Sequence, residues 1–551
     1  MNLTGYALSA LNAAQAGLAT SSHNLDNAAT PGYSRQSIIV AAAPAQNSGG
    51  GYIGQGVIVQ SVQRSVNDFI NQQLNSAQTR ASALDTFGNE VSQINNLFAD
   101  RTVGLFPALQ GFFSGLQGVA TSPADPAARE QALGNATQLV GQFNSVGDYF
   151  DEQRGDINNQ IQTTVSQINS AVGRISALNG QITAANAVAG GQPPNDLLDA
   201  RDTEVANLQK LVNVNVSNQN GQFALTLGDG HVLLSGGTQY NLVAAPSQSD
   251  SASMTVYASV PGGAGGATML DPVRETLVSG GSLGGLFAYR TQSLDPLEKQ
   301  LGLLATGLAL AVNAQQAQGL DANGATGTPM FSITPPAVAS GAKNTGSATV
   351  SAAFDASNLS ALRASDYTLS YDGTNYTLVR ASDGATLYTG ASVSGLAVDG
   401  VTMSVGGGAH AGDTWTISPV TRGAQNIAMT MTSPAQIAAA DTTGGSANGN
   451  NALALAGLQN EKLLGGKQSS FSDAYASLVD QVGNQTQENA NNLTAQQALV
   501  TQNYNAQQAV SGVNVNEEYV NIQQYQSQYQ AAAKLVQVSE TLFQTILGAV
   551  S

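Results

Sequence analysis

The residues able to do chemistry in this 551-residue chain are few, and their spacing argues against catalysis. The three histidines, His23, His231 and His410, lie far apart in sequence, and none has the H-E-x-x-H spacing that puts two ligands on one helical face, so each reads as a surface or turn residue. Gly465-Gly466-Lys467 looks like the end of a phosphate loop, but Glu461 replaces its first glycine and Gln468 its hydroxyl. Asp321 and Asn323 open a calcium-type loop, DANGATG, yet Ala325 stands where a third ligand belongs and Ser332 where the bidentate Glu belongs; a tight turn is expected. Ser340 and Lys343 fit S-x-x-K without its companion motifs. The carboxylate pairs Glu517-Glu518 and Asp199/Asp202 fall at helix starts, where they complement the helix dipole. The expectation is a non-enzyme without cofactor or metal.

Composition narrows the partners. Charged residues make up 10% of the chain, against a usual ~25%; Gln, Asn, Ser and Thr carry the polar surface, which suits close subunit packing. Lys plus Arg total 19 against 36 Asp plus Glu, a net charge of -17 with no basic tract, so neither nucleic acid nor an anionic membrane surface is expected as a partner. With no cysteine, disulfides and thiolate zinc sites are excluded. The first residues lack the basic and apolar regions of a secretory signal. The apolar run LGLLATGLALAV at 301–312 is shorter than the ~20 residues that span a bilayer and reads as a buried helix.

The elements that would position any site follow from periodicity. Leu11, Leu18 and Leu25 recur every seven residues, with Ala7, Leu8 and Ala14 alongside, predicting a first helix with a narrow apolar seam. Asn27 suits its C-terminal end, Pro31-Gly32 cannot continue it, and 37–40 (SIIV) predicts a strand: a helix-to-strand corner. At the other end Val515, Ile522, Tyr529, Val536, Phe543 and Val550 form a second heptad, with Asn514 and Glu517 at capping-box spacing. Two such seams predict terminal helices that pair with each other or with neighbouring copies. Ile161, Ile168, Ile175 and Ile182 make a third heptad, broken by Gly190 to Pro194 before NDLLDARD at 195–202 starts another helix with Asn195 or Asp196 as cap. Helical spacing also marks 69–97, 283–320 and 474–510.

Two blocks alternate instead. Val212, Val214 and Val216, then Phe223, Leu225 and Leu227, with turns at Asn220-Gly221 and Asp229-Gly230, predict a β module. A second runs from about 331 to 420, with a turn at Asp372-Gly373 and Trp415 expected in its core. The predicted class is α+β: an elongated multidomain protein with coiled-coil-type terminal helices and a helical stem carrying inserted antiparallel β domains. The expected divisions are 1–60 (axial helix, corner and strand), 61–211 (stem), 212–279 (first β module), 280–330 (stem return), 331–423 (outer β domain), 424–510 (stem return) and 511–551 (axial helix).

The two ends carry a resemblance. LSALNAAQAGLATSSHNLDNAATPGYSRQ and SGVNVNEEYVNIQQYQSQYQAAAKLVQVSETLFQTIL closely resemble the N- and C-terminal motifs of the rod, hook and hook-associated proteins of the bacterial flagellum. Asn24, Asn27, Thr30, Pro31, Gly32 and Tyr33 match that motif, whereas Leu25-Asp26 and Ala29 depart from it. The segments NDLLDARD, 280–324 and 471–484 narrow the resemblance to the hook-associated branch, while 331–420 is weakly matched. What it implies is a structural subunit between hook and filament, assembling with copies of itself through terminal helices. It further implies the hook protein and a second junction protein as neighbours, an export chaperone, and an extracellular place on the flagellum after type III export. Hook protein or the second junction protein would share the ends but not 280–324; an adhesin or surface enzyme would need a ligand site or catalytic cluster.

Overall fold

The computed structural model describes residues 3–47, 52–99, 104–188, 192–247, 252–260, 269–355 and 357–550. Its helices are α1 (Leu3–Asp26), α2 (Asp68–Ala99), α3 (Leu105–Thr121), α4 (Pro126–Val188), α5 (Asn195–Leu211), α6 (Gly281–Tyr289), α7 (Asp295–Gln316), α8 (Gly423–Asn426), α9 (Asn450–Gly457), α10 (Phe471–Ser511) and α11 (Val515–Val550). A π-helical turn, Arg290–Leu294, joins α6 to α7. The expected glycine break at 190–191 and the side chain of Val550 lie outside the described residues.

The stem is built on apolar stripes. In α4 the predicted heptad Ile161, Ile168, Ile175 and Ile182 is buried together with Ile157, Val165 and Val172, and α7 is buried nearly all round from Leu297 to Val312, as expected of 301–312. Phe87, Val91, Ile94 and Phe98 of α2 share this core with Tyr475, Leu478 and Val482 of α10. Ser470 starts α10 with a reciprocal capping box: its Oγ accepts from Asp473 N, and its own N–H donates to the Asp473 carboxylate, both at 3.2 Å.

Side-chain amides link many of the pieces. Asn158, Asn169 and Asn179 of α4 each donate through Nδ2 to a β-module carbonyl (Ala252, Leu242, Phe223) and accept at Oδ1 from a module N–H (Met254, Leu242, Phe223), at 2.8 to 3.1 Å. Each side chain thereby extends a strand's hydrogen bonding without a strand. Asn313 does the same for Phe331, and Gln496 and Asn489 of α10 donate to the carbonyls of Ala77 and Leu84 on α2. Such bonds supplement the few ion pairs between elements, among them Arg154 of α4 with Glu298 of α7.

The first β module holds a four-stranded antiparallel sheet (Val214–Gln219, Gln222–Leu227, Val232–Ser235, Thr238–Gln239) and a three-stranded one (Met269–Pro272, Met254–Val260, Leu242–Pro246). Asn220 and Gly221 both have positive φ, 54° and 86°, as the predicted two-residue turn requires. The outer block has a five-stranded sheet in the order Ala337–Ser340, Thr414–Ser418, Tyr367–Tyr371, Tyr376–Arg380, Thr386–Gly390, and a three-stranded sheet centred on Val401–Gly406. Trp415 is buried in it. At its base Phe331–Ser332 pairs with Ala428–Met429, and the Phe331 ring lies 5.8 Å from Phe112 of α3, so the block roots in the stem core.

One expected cap is corrected. Pro194, not Asn195 or Asp196, is the N-cap of α5, and it makes no side-chain bond. The Asn195 and Asp196 side chains are taken instead by Gln36, in the strand after the corner.

Candidate functional site

No group of three or more His, Asp or Glu side chains able to hold a metal occurs among the described residues, and no helix is long and apolar enough to cross a membrane. His23 packs edge-on against Tyr33, and His231 lies between Asp229 (2.7 Å) and Asp271 (3.2 Å) within the β module. His410 reaches Thr345 at 3.2 Å. Gly465, Gly466 and Lys467 form a turn of three positive φ angles, and in DANGATG the Asp321 carboxylate accepts from Asn323 N and Ala325 N, closing the expected tight turn on itself.

The feature that gathers the sequence's signatures is the corner. Helix α1 ends at Asp26, and the chain turns into Gln36–Ala42, antiparallel to Val57–Arg64 with a bulge at Ile39/Val40. Asn24, only 1% exposed, fixes the turn: its Oδ1 accepts from Gln36 N and Tyr33 Oη, and its Nδ2 donates to Gln36 O, all at 2.8 Å. Asn27 Nδ2 closes the helix end on His23 O (3.0 Å), and Thr30 Oγ1 donates to Asn27 Oδ1 (3.2 Å). Gly32 has φ +81°, and a Cβ there would stand 2.2 Å from Thr203 Oγ1, so the Pro31-Gly32 tip needs glycine twice over. Burial beside Asp196, Asp199 and Glu518 pushes the Tyr33 phenol above its ordinary range, keeping it a donor.

Two distant segments close on this corner. Ser34 N donates to Asp199 Oδ2 (2.9 Å), Gln36 Nε2 to Asp196 Oδ1 (3.0 Å), and Arg64 Nη1 to both Asp199 and Asp202 (2.7 Å each). Burial alone would lower the Arg64 pKa, but Asp202 and Asp199 hold it above its usual value. From the C-terminal side Arg35 Nε donates to the buried Glu518 (2.7 Å), Arg35 Nη1 lies 3.1 Å from Glu517, and Arg35 N donates to Ser511 O (2.8 Å). Carboxylates expected only to complement helix dipoles are therefore the partners of Arg35 and Arg64. Asn514 Oδ1 accepts from Asn516 N and Glu517 N and starts α11 beside them.

From this joint α1 and α11 run antiparallel, with Gly17 under Tyr525 and Thr4 Oγ1 2.7 Å from Ser539 Oγ. The buried line of α1 is Ala7, Ala14, Gly17, Ser21 and Asn24; Leu11, Leu18 and Leu25 are half-buried beside it. On α11 the buried line is Glu518, Ala532 and Ser539, with Tyr525 in register. Ile522, Tyr529 and Val536 flank it half-buried, while Val515 and Phe543 are 50% and 62% exposed. Helices meeting through small and polar side chains leave their large apolar ones at the margin or in solvent: Leu8, Val520, Leu535, Val538, Leu542, Ile546 and Leu547 are all exposed.

Comparison with known proteins places these parts. Residues 91–331 match the profile described as the flagellar hook-associated protein FlgK helical domain, and 339–419 match the flagellar hook-associated protein 1 D2-like domain. Residues 506–549 match the flagellar basal body rod FlgEFG protein C-terminal profile. The chain is 40% identical to flagellar hook-associated protein 1 of Salmonella typhimurium over 99% of both chains, and 38% identical to that of Escherichia coli over 99% of both. Its fold is similar to the flagellar hook junction protein FlgK from Burkholderia pseudomallei, with a TM-score of 0.73 and 30% identity, covering 80% of this chain and all of that one.

Proposed function

The chain belongs to the flagellar hook-associated protein 1 family, and we infer from this that it is a structural, non-enzymatic subunit of the bacterial flagellum that forms the junction between hook and filament and serves motility. The observation that carries the mechanism is the unpartnered apolar margin of α1 and α11. A helix pair that buries only three hydrophobic side chains among its described residues, Ala7, Ala14 and Ala532, gains little from its own packing, since apolar burial contributes about 0.8 kcal/mol per methylene. Copies packing side by side would cover Leu11, Leu18, Leu25, Val515, Ile522, Tyr529, Val536 and Phe543, and we assign the assembly seam to these residues.

The corner motif Asn24, Asn27, Thr30, Pro31, Gly32 and Tyr33 then acts as the joint that sets the angle between this axial pair and the stem, with the two β domains standing off it. Hook protein on one side and a second junction protein on the other are the proposed neighbours. An export chaperone holding the apolar ends, and passage through the flagellar export channel to an extracellular position, complete the proposal. The test is to mix purified chain with purified hooks and with purified filaments and locate it by electron microscopy. Occupancy of hook tips and not of bare filament ends is expected; binding to filament ends alone, or to neither, overturns the reading.

A further inference from the structure

The first β module is tied to the stem where the π-helical turn meets α4. Three side chains hold the start of the strand Met254–Val260. Asn158 of α4 bonds Ala252 O and Met254 N, Arg154 of α4 donates through Nη1 to Ser253 Oγ at 3.0 Å, and Arg290 in the π turn donates to Met254 O and to the Glu275 carboxylate. The same turn leads directly into Asp295 and Glu298 of α7, and both carboxylates lie on Arg154 Nη2, Asp295 Oδ1 at 2.9 Å. The side chains of Arg154 and Glu298 are only 9% and 6% exposed, so water screens neither.

The charges at this clasp do not balance. Arg154 faces Asp295 and Glu298, and Asp151, one turn earlier on α4, adds a third carboxylate. Helix α10 meets the stretch through amides, Gln485 with Ser293 and Gln481 with Gln300; Tyr289 of α6 is buried near Arg154, and Arg290 is engaged by Glu275. One cation therefore serves three anions in a site where surplus charge is costly. Burial pushes the Glu298 carboxyl up to about 7; Arg154 opposes that shift, and Asp295 and Asp151 add to it.

We propose that this cluster is a proton-operated clasp: with one proton on the Asp295/Glu298 pair it holds the first β module against the stem, and with both carboxylates ionised it loosens, because water must enter to solvate the surplus charge. The clasp acts within one subunit and does not depend on how copies assemble. A carboxyl whose native pKa lies above its unfolded value contributes stability that is complete below about pH 4 and is lost as pH rises through about 7. The chain has no native cysteine, so a single introduced thiol reports opening. Ala258→Cys places it at a 3% exposed position of the strand Met254–Val260, and its reaction with dipyridyl disulfide is timed in the full-length chain with and without Glu298→Gln. Dividing the two rates at each pH cancels the ionisation of the thiol itself. The ratio of the chain with Glu298 to the chain with Glu298→Gln should rise about tenfold between roughly pH 5.5 and pH 8. A ratio that falls, stays constant or rises less than about threefold means that Glu298 acts by packing alone and overturns the proposal. Asp295→Asn removes a repelling charge at a less buried position and leaves Arg154 to Glu298, so it should flatten the rise of the labelling rate with pH in the same way, and it carries the test if Glu298→Gln does not fold. An unchanged rise in Asp295→Asn overturns the proposal.

Discussion

The ring of Tyr525 rests on the backbone of Gly17: a Cβ at Gly17 would stand 2.6 Å from Cδ1, Cε1 and Cζ of that ring. Glycine is retained there despite its cost of about 1 kcal/mol in a helix interior because the aromatic knob needs the space. Gly17→Leu should therefore prise α11 from α1 at a cost of about 1–3 kcal/mol. The readout is the rate at which a protease trims residues before the corner and beyond 514, which should rise while the stem stays intact. Gly5→Ala, where nothing lies within 4 Å of the added carbon, should leave that rate unchanged or lower it. Equal trimming of Gly17→Leu and parent would contradict this packing.

Asn24 tests the joint itself. Its replacement by Ala removes three hydrogen bonds and leaves Gln36 N and O buried without partners, which at about 1–3 kcal/mol for each orphaned group is a large loss for one residue. Asn24→Ala should strip hydrogen-exchange protection from Gln36–Ala42 and Val57–Arg64 while α2 and α10 keep theirs. Asn24→Asp, which keeps the acceptor and loses only the donor, should fall between. Unchanged protection in both variants would remove Asn24 from its role.

How far these relationships could be read from sequence depends on what each residue packs against. The heptad from Ile161 to Ile182 maps onto buried positions because α4 keeps one face against permanent partners in its own chain. Leu11, Leu18 and Leu25 do not coincide with the buried line of α1, because that line is made of Ala7, Ala14, Gly17 and Ser21, whose small side chains carry little periodic signal. Helix α3 and the first half of α4 went unread for a related reason. They contain Gly111, Gly115, Gly118, Gly134, Gly141 and Gly147, which lower helix propensity, and tertiary packing overrides it: a Cβ on Gly147 would meet Gln425 N at 3.0 Å. At the joint, Asn24, Asp199 and Glu518 could each be singled out, but their pairing with Gln36, Arg64 and Arg35 spans up to 483 residues and has no local signature.

The outer block should be separable from assembly if it is cut in the right place. Phe331 and Val420 belong to the stem core, and the block also touches the stem through Lys299–Asp366 (2.7 Å) and Gly466 N to Ser360 O (2.7 Å). Replacing 337–418 by a short Gly/Ser linker keeps Phe331 and Val420 and should preserve stem helicity by circular dichroism and binding to hook tips. A folded, soluble deletion that fails to bind hooks would make the block an assembly surface.

Asp229 predicts a pH dependence for the first β module. Burial opposes ionisation of its carboxylate, but bonds from His231 N (3.2 Å), the His231 ring (2.7 Å) and Arg274 N (3.1 Å) outweigh that and hold its pKa below the ordinary carboxylate value. A depressed native pKa contributes stability that is complete above the unfolded value of about 4 and is lost as pH falls through the native one. Asp229→Asn should thus lower the unfolding free energy read from urea titration of the sheet signal at pH 7 by roughly 1–2 kcal/mol, and the gap to the parent should close as pH falls below about 4. A gap that stays constant down to pH 3 would mean that ionisation of Asp229 is not what the module uses.

Ala532 and Phe543 separate packing within one chain from packing between chains. Ala532 is 2% exposed against α1, whereas Phe543, one of the assigned seam residues on the same helix, is 62% exposed. A carboxylate at 532 meets the terminal pair of the monomer itself, so Ala532→Asp should accelerate trimming of the chain ends before any assembly takes place. At 543 it stays in water until a neighbour covers it. Phe543→Asp should leave monomer solubility and trimming as in the parent, and then reduce co-sedimentation with purified hooks by at least roughly thirtyfold, or ~2 kcal/mol. Gln544→Asp, adjacent on the helix but off that seam, should be milder, and because the hooks and chains are mixed after purification, export does not enter the comparison. Co-sedimentation of Phe543→Asp at the parental level would mean that the exposed face of α11 remains in solvent after assembly, and the seam would have to lie on the half-buried Ile522, Tyr529 and Val536 alone.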